Sequence, residues 1–208
     1  MSEKKTIGNP SICFANSPQA AGFQTQHNGC IRRDALSKIV DIFSNKNYDW
    51  NWRDMMNLIQ KPEVTTWPET HYIYIEKMGP FQETAPQAWQ SLHKLIPTIS
   101  ETNKIMGNMS LYKIQPNKMT YRAGVAVSEK PAKLLEGLQY TKFEGGKYIC
   151  FVLTGPYSDL PKACGRVFEI ISEKKIQRRD DFNIENYVSD PKTTPEKQLI
   201  TEILIPTF

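Results

Sequence analysis

Hydrophobic and polar positions divide the chain into a patternless start and an ordered remainder. Residues 1–30 mix Asn, Gln, Ser, Gly and Pro without periodicity, which predicts a loosely ordered segment. Ala35, Leu36, Ile39, Val40, Ile42 and Phe43 recur at helical spacing, and a shorter helical patch is expected from about Trp52 to Ile59. These two helices read as an amphipathic appendage. Half of a helix-turn-helix is the other reading, but no third helix or focused basic face supports it. The segment 61–70, KPEVTTWPET, carries two prolines and reads as a linker.

After that segment the pattern becomes regular. HYIYIEKM (71–78) alternates as a strand does, Gly79-Pro80 breaks it, and Ala85, Ala88, Trp89, Leu92 and Leu95 share one helical face between about Glu83 and Leu95. MSLYKIQP (109–116) and MTYRAGVAV (119–127) form a predicted hairpin, and a weaker strand covers 138–144. The order then returns. KYICFVLT (147–154) is a strand, Gly155-Pro156-Tyr157 breaks it, a helix runs from about Leu160 to Glu173, and FNIENYV (182–188) and KQLITEILIP (197–206) are two further strands.

The two halves share more than order. Gly79 follows Tyr72 at the same distance along the chain as Gly155 follows Tyr148. Both glycines open a Gly-Pro-aromatic turn, Gly79-Pro80-Phe81 in the first half and Gly155-Pro156-Tyr157 in the second. Leu111-Tyr112 and Pro116 stand to Asn186-Tyr187 and Pro191 at almost the same interval. A repeated unit of this kind points to duplication. The expected fold is therefore α+β: a tandem strand–helix–strand–strand repeat with an antiparallel sheet, two main helices and a ligand cleft between the repeats. The division expected is an N-terminal extension over 1–61 and a folded domain over 62–208.

Composition narrows the function classes. The net charge of +4 is spread out: residues 1–61 hold 8 Lys/Arg against 5 Asp/Glu, and 62–208 hold 18 against 17. That balance argues against direct nucleic-acid binding. The densest basic run, Lys174 to Arg179, follows a helical pattern and reads as a helix C-terminus, where cations are favoured. Cys13, Cys30, Cys150 and Cys164 form no CxxC pair and His27, His71 and His93 are scattered, so free thiols are expected, with no metal site and no cofactor. No signal-peptide pattern and no apolar run of about 18 residues is present, so a cytoplasmic protein without membrane contact is expected.

Further stretches carry a family resemblance: Tyr121-Arg122-Ala123-Gly124-Val125-Ala126-Val127, Gly145-Gly146-Lys147-Tyr148, Ile184-Glu185-Asn186-Tyr187 with Asp190-Pro191, and Thr201-Glu202-Ile203-Leu204-Ile205-Pro206. With the two Gly-Pro-aromatic turns, Trp89 and Leu92, they make residues from about 62 onward resemble the GyrI-like effector-binding domain. Ile184 stands where that domain usually has phenylalanine. The resemblance implies the same tandem-repeat fold and a small-molecule ligand. Residues 1–61 match nothing in this family.

Alternation puts Asn183, Glu185 and Tyr187 on one strand face, and Ile184, Asn186 and Val188 on the other. By itself a carboxylate beside a tyrosine can be a solvated sheet surface. The resemblance implies instead a glutamate buried among aromatics, binding a hydrophobic, cationic or polarised molecule by charge and cation–π attraction. Glu202 shares its face with Ile200 and Leu204, and reads either as an edge-strand salt bridge or as a second site acid. Trp89, Tyr74, Tyr112 and Tyr121 are candidate cleft walls, whereas Phe168 is at core spacing. The first functional reading is thus a stand-alone binding module for such a molecule. The alternative, also implied by the resemblance, is a hydrolase of strained electrophilic rings, with Glu185 activating water and Tyr187 or Tyr112 donating a proton. A protein partner is a third reading, resting on the family name alone.

Overall fold

Period-two alternation sorts the strand side chains onto two faces of one antiparallel sheet. The computed structural model describes residues 56–60 and 62–208. In chain order the elements are β1 (Asn57–Leu58), β2 (Glu63–Trp67), β3 (Thr70–Met78), α1 (Phe81–Thr102), β4 (Ile105–Gln115), β5 (Lys118–Val127), β6 (Gln139–Phe143), β7 (Gly146–Thr154), α2 (Leu160–Glu173), β8 (Asn183–Tyr187) and β9 (Ile200–Pro206). The strand order is β1-β7-β9-β8-β4-β5-β3-β6, with β2 also on β7.

This order is nearly symmetric about the β4–β8 pair. β3, β5 and β4 on one side mirror β7, β9 and β8 on the other, and each triplet carries its own helix after its first strand. The tandem α+β fold is thus as expected, with one addition. The segment 61–70 is not a linker: it holds β2, which pairs with β7, while β6 pairs with β3. The interval from β2 to β6 equals that from β3 to β7, so each repeat lends a leading strand to the other. Pro62 and Pro68 flank β2 rather than interrupt it, which is where an edge strand tolerates proline.

Near the start, the helix expected from Trp52 to Ile59 is replaced within the described residues by β1, whose Asn57 and Leu58 pair with Thr154 and Leu153. Burial of Leu58 against the core outweighs local helical spacing there. The helix expected over 35–43 lies outside the described residues.

Ile73, Ile75, Ala123, Val125, Phe151, Leu153, Ile203 and Ile205 face the helices and close one core with Leu92, Ile99, Val167 and Phe168. The opposite face buries Tyr72, Tyr74, Leu111, Tyr148, Ile184 and Leu204. Arg122 covers part of it, paired with Glu76 at 2.7 Å and stacked over the rings of Tyr74 and Phe182. Here Tyr72 lies across Gly124 and bonds the carbonyls of Met109 and Arg122, each at 3.0 Å. A side chain at residue 124 would overlap that ring. The Gly-Pro turns need their glycines for another reason: Gly79 and Gly155 hold φ of 130° and 147°, which side chains disfavour.

α1 passes beyond Leu95 to Thr102 despite Pro97, held by burial of Ile99 and closed by the Asn103 side chain on the Ile99 carbonyl. The basic run is a helix end. α2 stops at Glu173, Arg178 stacks on Phe168, and Arg179 bonds the Gly145 and Thr207 carbonyls and Asp181. Among the described residues no helix is long and apolar enough to cross a membrane.

Candidate functional site

Between α1 and the start of α2, over the β4–β8 ladder, lies a cavity of about 170 Å³. Its walls come from α1 (Phe81, Ala85, Trp89, His93), from the turn leading into α2 (Tyr157) and from α2 itself (Leu160, Cys164). Its floor is sheet: Asn108 and Tyr112 on β4, Tyr121 on β5, Glu185 and Tyr187 on β8. An enclosed space of about 150 Å³ holds one benzene ring, so a larger ligand would extend into the mouth.

Glu185 is the acid of this floor and is only 8 % exposed. Alternation along β8 turns it, with Tyr187, toward the helices, while Ile184 joins the opposite core. Tyr187 donates to its Oε2 at 2.8 Å, Tyr121 approaches the same oxygen at 3.5 Å, and the Cys164 thiol reaches Oε1 at 3.6 Å. Among the described residues no Lys or Arg forms an ion pair with it. Burial pushes its carboxyl above the ordinary glutamate range, against the hydrogen bonds from Tyr187, Cys164, Ser110 and Tyr121 that favour the charged form.

The donors form a chain. Trp89 Nε1 donates to Tyr121 Oη at 3.0 Å, Tyr121 and Ser110 lie 2.7 Å apart, Ser110 and Tyr187 3.0 Å apart, and Tyr187 ends on the carboxylate. One arrangement of protons uses every hydroxyl once as donor and once as acceptor, running from the indole through Tyr121, Ser110 and Tyr187 to Glu185. Burial and the nearby Glu185 charge raise the phenols of Tyr112, Tyr121 and Tyr187 above the usual tyrosine value, so all three keep their protons. Burial first and Glu185 second also raise the Cys164 thiol, which stays neutral. His93 is shifted the other way, by burial and then by Lys192, and is neutral at pH 7.

The rings supply the rest. Trp89 and Tyr157 both meet Tyr187 edge-on, with centroids 5.2 and 5.3 Å apart, and Phe81 meets Tyr112 edge-on at 5.5 Å. Such a lining offers ring faces and edges to an aromatic guest, and Glu185 is the one acid among its lining residues.

Of the residues singled out from sequence, Glu185, Tyr187, Trp89, Tyr112 and Tyr121 meet in this cavity. Tyr74 and Glu202 do not. Tyr74 stacks on Tyr72 on the far face of the sheet. Glu202 lies on that far face too, opposite Asn186, whose side-chain amide bonds it at 2.8 Å. Both corrections have one cause, because the strand face a residue shares with the helices depends on packing that alternation alone does not fix. Sequence reading missed Ser110, Cys164, His93, Phe81 and Tyr157 as site residues. The last two had a signal: each is the aromatic of a Gly-Pro-aromatic turn, placed at the head of a helix that borders the cleft.

A two-helix α+β sheet domain with an aromatic cleft between its repeats is the architecture of a small-molecule-binding domain. The chain belongs to the GyrI-like small molecule binding domain family, which it matches over residues 60–207. No curated protein matches it. Among solved structures it resembles SAV2435 bound to tetraphenylphosphonium, with a TM-score of 0.60 at 16% identity, covering 71% of this chain and 94% of that one. The C-terminal domain of EcmrR is similar, with a TM-score of 0.58 at 16% identity over 70% of this chain and 96% of that one. An integron cassette protein from the mobile metagenome of Vibrio cholerae scores 0.50 at 16% identity over 73% and 99%. At such identities the likeness concerns the fold.

Proposed function

We propose that this domain binds a hydrophobic, cationic small molecule in the cleft between its repeats, with Glu185 as the charge partner and Trp89, Tyr157, Tyr187 and Phe81 as the aromatic walls. The observation that carries this reading is the buried carboxylate at the cleft floor with no cationic partner among the described residues. A buried charge is costly unless something opposite meets it, and the neutral donors around Glu185 offset that cost only in part. A cation entering the cleft supplies the missing partner, and its rings replace solvent against the aromatic walls. The solved structure of SAV2435 with the aromatic cation tetraphenylphosphonium is consistent with this choice of ligand class.

Residues 62–208 are the proposed binding unit, with the segment before them as an extension. The test is a pair of titrations with tetraphenylphosphonium and with triphenylphosphine oxide, which is aromatic but neutral. The cation should bind at least about tenfold more tightly, the lower end of a charge-assisted contact. Equal affinities would mean that stacking alone governs the cleft and that the carboxylate plays no part.

A further inference from the structure

The cleft floor is built on an internal symmetry. Asn108, Ser110 and Tyr112 on β4 are the repeat counterparts of Asn183, Glu185 and Tyr187 on β8, so Asn-x-Ser-x-Tyr answers Asn-x-Glu-x-Tyr. The ladder pairs Asn108 with Tyr187, Ser110 with Glu185 and Tyr112 with Asn183. A pseudo-twofold axis therefore passes between Ser110 and Glu185, and the serine occupies the position that the acid occupies in the other repeat.

The surroundings follow the same axis. Glu185 is served by Tyr187 on its own strand, by Tyr121 on β5 and by Cys164 on α2. The counterparts around Ser110 are Tyr112, Thr201 and Ala88. Thr201 answers Tyr121 because Tyr121 pairs with Lys77 on β3 and Thr201 pairs with Leu153, the equivalent of Lys77 on β7. The Thr201 hydroxyl is fully buried and has no hydrogen-bond partner among the described residues. The neutral serine thus has two hydroxyl-bearing counterparts of the groups that hold the acid, Tyr112 on its own strand and Thr201 on β9 of the other repeat, and the second is idle.

We infer that Ser110 is a specificity-determining residue that limits the cleft to ligands bearing one positive charge. This deepens the binding reading above and rests on it. One buried carboxylate balances one cation, and a second cation within a few ångströms would be desolvated without a partner. A carboxylate at position 110 would change that. Beside Glu185 it could not ionise fully in the empty cleft, so the pair would share a proton until a dication displaced it.

Two flat aromatic ions of nearly the same shape test this: N-methyl-phenylpyridinium, with one charge, and methyl viologen, with two. Each is titrated by calorimetry, in two buffers of different ionisation enthalpy, into the wild-type chain, S110E, S110D and E185Q. The wild type should favour the monocation. S110E and S110D should shift the affinity ratio toward the viologen by about tenfold or more, and viologen binding should release a proton from them that it does not release from the wild type. The charge-neutral exchange S110E/E185S adds a second readout and guards against misfolding of an extra buried acid. It should recover most of the monocation affinity that E185S alone loses.

An unchanged ratio without proton release, in variants that melt cooperatively, would overturn the role of Ser110 and leave Glu185 standing. So would an S110E/E185S exchange as weak as E185S. If E185Q binds the monocation as well as the wild type does, the binding reading itself falls and this inference falls with it.

Discussion

Replacing Glu185 by glutamine keeps the shape of the side chain and one acceptor oxygen for the 2.8 Å bond from Tyr187, while removing the charge. For tetraphenylphosphonium the loss should be that of a charge-assisted contact, about 1.5–3 kcal/mol, or about ten- to a hundredfold in affinity. Triphenylphosphine oxide should be nearly unaffected, since its binding rests on stacking and burial. Stability should respond in the opposite sense. Burial raises the folded-state pKa of Glu185 above its unfolded value of about 4.3, so between the two values the native state holds a proton that the unfolded chain has released. This group's contribution is most favourable at low pH and declines as pH rises through that window, by about 1.4 kcal/mol for each unit of the shift. Glu185→Gln removes the decline, so the variant should be at least as stable as the wild type at pH 8 and less pH-dependent. Calorimetric titration of both ligands and thermal melts at pH 4 and pH 8 measure these effects. Cation affinity within twofold of the wild type would refute the reasoning, and a variant markedly less stable at pH 8 would show that the carboxylate is held by a partner.

Cation affinity in the wild type should rise with pH through the raised Glu185 pKa and then level off, whereas Glu185→Gln should retain only the smaller dependence due to His93; equal profiles would remove the carboxylate from the site. Trp89→Phe deletes the indole donor to Tyr121 and part of the wall against Tyr187, and should weaken aromatic cations by about 1 kcal/mol in the same titration, with little effect on the melt. Gly124→Ala forces a methyl group into the Tyr72 ring and the Ile73 carbonyl, and should cost about 1–3 kcal/mol in chemical denaturation. A chain beginning at residue 56 should still unfold in one cooperative transition, because the two-repeat core closes within the described residues; a non-sigmoidal curve would show that the preceding segment completes that core.

Much of the fold was legible because its signals are local. Gly79-Pro80-Phe81 and Gly155-Pro156-Tyr157 mark the two strand-to-helix turns, and alternation along β8 correctly put Glu185 and Tyr187 on one face, apart from Ile184. β2 was not legible: Glu63–Trp67 is short, exposed and flanked by prolines, and it is a strand because β7 of the other repeat receives it. Tyr74 and Glu202 were misplaced for a related reason. The pattern says that Tyr74 opposes Ile73 and that Glu202 accompanies Leu204, but only the helices' positions decide which of those faces borders the cleft. Ser110 left a fainter trace, in the match between residues 108–112 and 183–187. That match becomes informative once the β4–β8 register sets the two segments across one axis.

The most direct test of the cleft's role is a crystal structure of the domain grown with tetraphenylphosphonium. The phosphonium should lie in the gap between α1 and α2, with a phenyl ring in the enclosed space against Trp89, Tyr157 and Tyr187, and with Glu185 as the nearest acid to the positive centre. A cation seated on the far face of the sheet beside Glu202, or in the cleft with its charge turned away from Glu185, would contradict that role.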